Sequence, residues 1–405
     1  MTDVHRIAVS LEAWRTGCRT RRVCGAVGAL ALLTMTACRW VTTGSPAALS
    51  PVPASAPPRR VLLCAPAACT DSLDVVAMGV SGFLFVPWRD TTGLVLTPPA
   101  FRHPSVWRLV FTDWLLGTRP DSARIARRLA AMPQAEPSRL ARVRGVLVGH
   151  GHYDHLLDLP PLMRYMPQAT VFGSETVVHV LHGDLRLRDS VNGQPRLVSI
   201  EAGAGQSAPQ PARWHPVSGT PFRFQPATWE HAHNLARFTF SPGAVKRPRQ
   251  SLPRTAAGWR EGRTFAYALE FAGPAGQVVL RVVLHDAAAT PPAVQRAAAS
   301  WGPTTAPAVV IMSAANFDQV PDYPGSLIAA LQPAHVLLGH WEDFFRSPEQ
   351  PPRVVRGIEA PELVRRLTHA GQPWSALEPG ATLRLLFPAD GQPPSPTAGT
   401  APPVR

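Results

Sequence analysis

Val146-Leu147-Val148-Gly149-His150-Gly151-His152-Tyr153-Asp154-His155-Leu156-Leu157-Asp158-Leu159 sets three histidines and an aspartate close together at the end of an apolar run. In an extended segment the side chains at i and i+2 project to the same side, so His150 and His152 can present two imidazoles to one ion. The chain then enters an apolar stretch with helical spacing (Leu156, Leu157, Leu159, Leu162, Met163), and the turn between aims Asp154 and His155 toward a second ion. Nitrogen and carboxylate donors of this kind suit two divalent metal ions, zinc or a similar borderline cation.

The His-x-His-x-Asp-His pattern resembles the signature of the metallo-β-lactamase superfamily of metal-dependent hydrolases. The fuller string His152-Tyr153-Asp154-His155-Leu156 is most similar to the branch that holds N-acyl-phosphatidylethanolamine phospholipase D and ascorbate-6-phosphate lactonase. The resemblance implies an α/β fold, a four-layer αββα sandwich of two mixed sheets with helices outside. It also implies three further ligands at the ends of later strands. Pro226-Ala227-Thr228-Trp229-Glu230-His231-Ala232-His233 would supply the third histidine of the first metal, with His231 preferred and His233 the alternative. The buried-looking strand Gln277-Val278-Val279-Leu280-Arg281-Val282-Val283-Leu284 delivers His285-Asp286, and Asp286 would bridge the metals. Ala334-His335-Val336-Leu337-Leu338-Gly339-His340 ends on the expected last ligand of the second metal, His340.

By this resemblance His150, His152 and His231 hold one ion, Asp154, His155 and His340 the other, and Asp286 spans both. Two such ions can activate a bridging water as hydroxide and polarise the substrate, so no serine or cysteine nucleophile is needed. Asp154 and Asp286 are the catalytic carboxylates of that scheme. His233, His285 and Asn316 are placed as substrate contacts or supports of the ligands. The branch resemblance points to a phosphodiester or phospholipid-like ester, hence a small-molecule or lipid substrate. A lactonase, a β-lactamase-like hydrolase and a non-catalytic surface lipoprotein keeping the fold are the alternatives. His285 stands where relatives of the phospholipase type carry glycine, which bears on substrate more than on metal.

The chain has 405 residues, 45% of them hydrophobic, enough for a sizeable core. A net charge of +13 raises nucleic acid as a partner. Dispersion of the arginines argues against it: Lys246 is the only lysine, and the short basic clusters lack interleaved aromatic residues.

Arg19, Arg21 and Arg22 precede the apolar run 23–37, short for a membrane span and suited to a signal peptide covering 1–37. Met35-Thr36-Ala37-Cys38 resembles a bacterial lipobox, which makes Cys38 the expected lipidation site and the protein an exported cell-envelope lipoprotein held to the membrane by a lipid anchor. Arg39 after Cys38 favours the outer membrane by the same analogy. Residues 38–58, rich in proline, alanine and serine, read as a tether. Residues 59–387 then form the catalytic domain, and 388–405 a disordered tail. Cys64 and Cys69 form either a small-loop disulfide or two free thiols.

Within the domain, 75–87 and 93–97 read as opening strands. Residues 121–132 read as a helix capped by Asp121, 170–172 as a strand and 174–181 as a helix. Residues 264–271 and 277–284 form a hairpin through Gly273-Pro274-Ala275-Gly276. Residues 308–312, 335–338 and 381–387 complete the strands, while 201–216 and 244–258 read as loops beside the site.

Overall fold

Strands apolar on both sides need cover on both faces, and the computed structural model supplies it with two sheets packed face to face between helices. It describes residues 43–88, 93–191, 193–201, 213–233 and 239–390. The first sheet takes β1 (Arg59–Leu62), β2 (Asp71–Gly79), β3 (Gly82–Pro87), β4 (Leu94–Leu96), β5 (Val143–Leu147) and β6 (Thr170–Gly173). A small ribbon of β7 (Ser190–Val191) and β8 (Gln194–Pro195) leads to its edge strand, β9 (Leu197–Ser199). The second sheet runs in chain order through β10 (His215–Pro216), β11 (Phe222–Trp229), β12 (Thr264–Ala272), β13 (Val278–Leu284), β14 (Ala308–Ser313), β15 (His335–Gly339) and β16 (Trp374–Ala376). The last strand, β17 (Thr382–Phe387), returns to the first sheet, parallel to β1 and antiparallel to β2.

Both sheets are mixed. β2, β3 and β4 pair antiparallel before β4, β5, β6 and β9 run parallel. β11, β12 and β13 pair antiparallel before β13 to β16 run parallel. Between the sheets, Phe83, Phe85, Leu147 and Leu385 meet Phe224, Tyr267, Val282 and Ile311 in one apolar layer. Period-two alternation explains the sorting on β13: Leu280, Val282 and Leu284 face that layer, and Val283 faces the helices outside.

The outer layers follow from helical spacing. Helix α1 (Ser122–Ala130) buries Ile125 and Leu129 against the first sheet, and its N-cap Asp121 accepts the Arg124 amide at 2.9 Å. Such a cap is worth about 1 kcal/mol. Helix α2 (Glu175–Leu181) joins it through Val177, Val180 and Leu181. On the second sheet, α3 (Pro291–Trp301), α4 (Gly325–Leu331) and α5 (Ala360–His369) bury Val294, Leu327, Leu363 and Leu367. The four-layer sandwich expected from the sequence is therefore present.

Three local expectations change. The run 75–87 is a hairpin, because Gly79 and Val80 both take positive φ (118° and 56°) and reverse the chain between β2 and β3. The apolar stretch after the histidine cluster is two helical turns, Tyr153–Leu156 and Leu159–Leu162, since Pro160 and Pro161 fit only a first turn and begin a new one. The tether is packed from residue 43 onward. Pro46–Leu49 forms a helical turn whose Leu49 is buried in the same cluster as Leu363, and backbone bridges join Gly44 to Val354 and Val52 to Leu377. Leu49 and Val52 are the anchors that the composition of the stretch concealed.

Cys64 and Cys69 form a disulfide, with Cα atoms 5.7 Å apart. The expected signal peptide, Cys38 and residues 391–405 of the expected tail lie outside the described residues. Ala389 is held at both backbone groups, by Thr70 Oγ1 and by the Gln277 amide. No helix among the described residues is long and apolar enough to cross a membrane.

Candidate metal centre

Strand ends from both sheets meet at one edge of the sandwich. His150 and His152 follow β5, His155 sits in the turn Tyr153–Leu156, His231 follows β11, Asp286 follows β13 and His340 follows β15. The structure gathers the seven side chains into three overlapping sets, each with donor atoms within 4.8 Å of one another: His150, His152, His231; His150, His155, Asp286; Asp154, His155, His340. The carboxylate of Asp286 lies between the two halves, with Oδ1 3.0 Å from His150 Nδ1 and Oδ2 3.4 Å from His155 Nδ1. On the far side Asp154 Oδ2 is 3.2 Å from His340 Nε2 and 3.5 Å from His155 Nε2. His231 completes the near side, its ring 4.6 Å from that of His150 and 5.0 Å from that of His152.

Two glycines make this convergence possible. A Cβ on Gly149 would lie 2.3 Å from Asp286 Oδ2, and one on Gly151 would lie 2.2 Å from the Arg260 carbonyl. The Gly-His-Gly-His alternation thus lets a carboxylate and the loop that leads into β12 approach the backbone between the histidines. The Gly151 amide donates to the Glu261 carbonyl at 2.8 Å, and Tyr267 Oη donates to the Val148 carbonyl at 2.7 Å, so the segment is fixed from the second sheet. His340 takes a left-handed φ of 53°, and its amide donates to Val80, itself at φ 56°. Two side-chain-bearing residues in that region, one of them β-branched, mark backbone strain held at the site.

Burial shapes the charges. It pushes the imidazoles of His150 and His152 well below their ordinary value, and that of His155 down to about 4. Burial alone would raise Asp154, but His155 and His340 outweigh it and hold the carboxyl well below the usual range. Neutral imidazoles at His150, His152 and His155 beside an ionised Asp154 are the protonation states that metal ligation requires. His152 Nε2, His155 Nε2 and His340 Nδ1 are buried without a hydrogen-bond partner among the described residues. Buried polar atoms of that kind are costly unless something engages them. The donor set and its orphaned nitrogens fit a pair of divalent cations.

Other expectations separate here. His233 is exposed and contacts Thr239 Oγ1 at 3.1 Å, outside the cluster, so the alternative for the third histidine falls away. His285 points away from the cavity over the cluster: its Nδ1 lies 2.9 Å from the Ala287 carbonyl and its ring packs on Trp229 and toward Tyr323. Strand alternation explains this, since neighbours at a strand end face opposite ways. Asn316 does line that cavity, a largely apolar hollow of about 270 Å³ that also exposes Tyr153, Phe240, Phe344 and Arg356 above the ligands. A larger hollow of about 710 Å³ adjoins His231 on its other side, bordered by His233, Lys246 and Glu261. Residues 243–246 thus border the site, as expected for the loop 244–258; the loop is held by His179 Nδ1 at 2.7 Å from the Val245 carbonyl. Of the loop 201–216, residues 202–212 lie outside the described residues.

Two further residues reach the site, one with no signal in the sequence and one that stood there only as part of the branch motif. Arg356 brings a guanidinium to the cavity wall, steered by Asp343 at 3.3 Å. Tyr153 lines the same cavity with its hydroxyl lacking a hydrogen-bond partner among the described residues, and burial raises its pKa well above the ordinary value, so it stays a donor.

Residues 113–341, which carry all seven clustered side chains, match the family model of the beta-lactamase superfamily domain. The chain belongs to that superfamily. A comparison with curated proteins finds no match. Among solved structures the chain is similar to CmlA, a diiron β-hydroxylase from Streptomyces venezuelae, at 15% identity and a TM-score of 0.40 over 81% of this chain and 54% of that one. It is also similar to a metallo-β-lactamase of Cronobacter sakazakii (16% identity, TM-score 0.24, 52% of this chain and 60% of that one). A third is the metallo-β-lactamase SMB-1 (12% identity, TM-score 0.27, 66% and 79%). The chain spans about half the length of CmlA.

Proposed function

We propose that this member of the superfamily is a dinuclear metal-dependent hydrolase, with His150, His152 and His231 holding one divalent ion, Asp154, His155 and His340 the other, and Asp286 spanning both. Members of the superfamily are mostly metal-dependent hydrolases. The observation that carries the reading is the placement of Asp286, one carboxylate oxygen toward each half of the cluster. A bound pair of ions supplies a water of lowered pKa and a Lewis acid for the substrate oxygen. The chain's own groups do the rest. Asp154, held ionised, can accept and orient the proton of an attacking water, and the Tyr153 hydroxyl can donate to the substrate from the cavity wall. The apolar hollow excludes water and strengthens each of these interactions.

For substrate, we favour a phosphodiester over a lactone or a β-lactam. Arg356 supplies a fixed cation in a largely apolar cavity, where a phosphate oxygen would find a charge-assisted partner. The branch resemblance around Tyr153 agrees with it. Zinc suits the imidazole and carboxylate donors, and iron is the competing occupant with the same preferences. Metal analysis of the purified protein should return about two ions per chain. Metal-loaded protein should then hydrolyse bis-p-nitrophenyl phosphate or a phospholipid faster than lactones or β-lactams, with Asp286→Ala silent. Turnover of lactones alone would reject the phosphodiester, and a folded protein with no metal would reject the enzyme. Export and a lipid anchor at Cys38 remain part of this proposal, and the Cys64–Cys69 disulfide suits an oxidising compartment. Intact mass of the protein from bacterial membranes would show an acylated Cys38 as the first residue.

A further inference from the structure

The segment 105–117 turns most of its large apolar side chains to solvent and buries its one carboxylate, the reverse of a helix on a globular surface. Two consecutive helical turns, Arg108–Thr112 and Asp113–Leu116, form it. Asp113 is buried, accepting the Thr118 hydroxyl on one oxygen and the Ala256 amide on the other. The Arg108 guanidinium donates to the Gly117 carbonyl at 2.6 Å, and the Thr118 amide donates to the Arg254 carbonyl at 2.8 Å. These bonds fasten the segment to the body with its other side turned to solvent. There Trp107 is 73% and Trp114 77% exposed, and Val110, Phe111, Leu115 and Leu116 are each more than half exposed. The patch is ordered by its own contacts: Trp107 stacks on Phe111 at 4.7 Å, and the Trp114 indole donates to the Phe111 carbonyl. A contiguous apolar surface of this kind marks an interaction site.

The borders of the patch indicate what it faces. Arg119 and Arg254 are both exposed and flank the patch, and the only carboxylate within the segment, Asp113, is bonded inward. On its inner side Val106 and Leu109 line the cavity above His152, Asp154, His231 and His340, and the exposed Val110 borders the same cavity. Apolar surface rich in tryptophan and bordered by arginine fits the headgroup region of a bilayer with anionic lipid. A second copy of this chain fits poorly. A two-fold contact would bring the same arginines together from two chains of net charge +13.

We propose that 105–117 is an interfacial docking element that seats Trp107, Phe111, Trp114 and Leu115 at the surface of an anionic lipid bilayer, with the cavity over the histidine cluster behind it. The proposal does not depend on the hydrolase reading, and its test uses binding. Full-length protein is mixed with phosphatidylcholine vesicles with and without about one-third phosphatidylglycerol, and hydrogen exchange and co-sedimentation are measured. Slowed exchange in peptides covering 105–117 on the anionic vesicles is expected. Trp107→Ser with Trp114→Ser should weaken partitioning about tenfold, as two aromatic side chains leave the interface. Arg119→Gln with Arg254→Gln should remove the preference for phosphatidylglycerol. Three results would each overturn the proposal: no binding to either vesicle, vesicle binding with exchange at 105–117 unchanged, or protection there that rises with protein concentration without vesicles, the mark of a second copy. Hydrolysis of a water-soluble diester, read in parallel, should be unchanged in the tryptophan variant, so failure of the enzyme reading and failure of docking remain distinct.

Discussion

The two halves of the candidate metal centre are built differently. The first sheet contributes four donors, His150, His152, Asp154 and His155, from one strand end and one helical turn. The second sheet contributes three, His231, Asp286 and His340, each alone after its own strand. The local half needs only the two-residue period of an extended chain and a turn. The distributed half needs the whole second sheet in register, because each ligand is placed by the pairing of β11 with β12, β12 with β13, and β14 with β15. A site assembled this way requires the tertiary fold and joins the two sheets when the ligands are engaged.

The most severe break in that joint is Asp286→Ala, which removes the group that reaches both halves. Diester hydrolysis should fall by at least about 10³-fold, and metal content should drop below two per chain. His231→Ala and His340→Ala sharpen the contrast: each should lose one ion and keep the other. Retention of both ions in Asp286→Ala, measured by elemental analysis, would show that the two halves bind independently.

Gly149→Ala attacks the same joint from the local half. The new methyl would sit 2.3 Å from an Asp286 oxygen, and its three nearest atoms all belong to that carboxylate, a group wedged between His150 and His155. Overpacking there should cost about 1–3 kcal/mol in urea unfolding and displace Asp286, lowering metal occupancy as well. Gly193→Ala is the control in space: it has nothing within 4 Å of its Cβ, though its positive φ of 75° carries a smaller conformational cost.

Strand β15 carries a histidine at its start and another just beyond its end, so it separates ligation from burial. His335 is buried with Nε2 2.9 Å from Ser375 Oγ, and burial lowers it to about 4. Its folded value lies below its unfolded one, so between pH 6.5 and 4 the unfolded chain binds more protons. The stability it confers is complete above pH 6.5 and is lost as pH falls through that window, up to about 3 kcal/mol in all. Unfolding curves at pH 7 and pH 4.5 should therefore show a shallower acid loss in His335→Gln than in the parent chain. An unchanged pH slope would show that His335 is not held neutral by burial.

Legibility followed the same division. The cluster from His150 to His155 could be read from spacing alone, and so could the capped helix α1 and the hairpin of β12 and β13, because each is a short-range pattern. His231, Asp286 and His340 became readable only through resemblance, since nothing local separates His231 from His233 until the fold turns one in and the other out. The hairpin at Gly79 and Val80 was hidden because valine at positive φ carries no turn signal. Leu49 has no signature in the sequence, because one buried leucine in a proline-rich stretch leaves no period. Arg356 is brought to the cavity by tertiary structure far from any motif.

Tyr153 bears on whether the local half contributes more than metal ligands. Its ring is wedged near Phe240 and Phe344 while its hydroxyl lacks a hydrogen-bond partner among the described residues. Tyr153→Phe keeps the ring and removes one donor, so fold and metal content should be preserved. If the hydroxyl meets the substrate as charge develops, kcat should fall about tenfold with KM nearly unchanged, the loss of one hydrogen bond made in the transition state. A rise in KM alone would instead make it a binding contact shared by ground and transition states. No change in either would leave the tyrosine as packing, and the local half would then act through its ligands only.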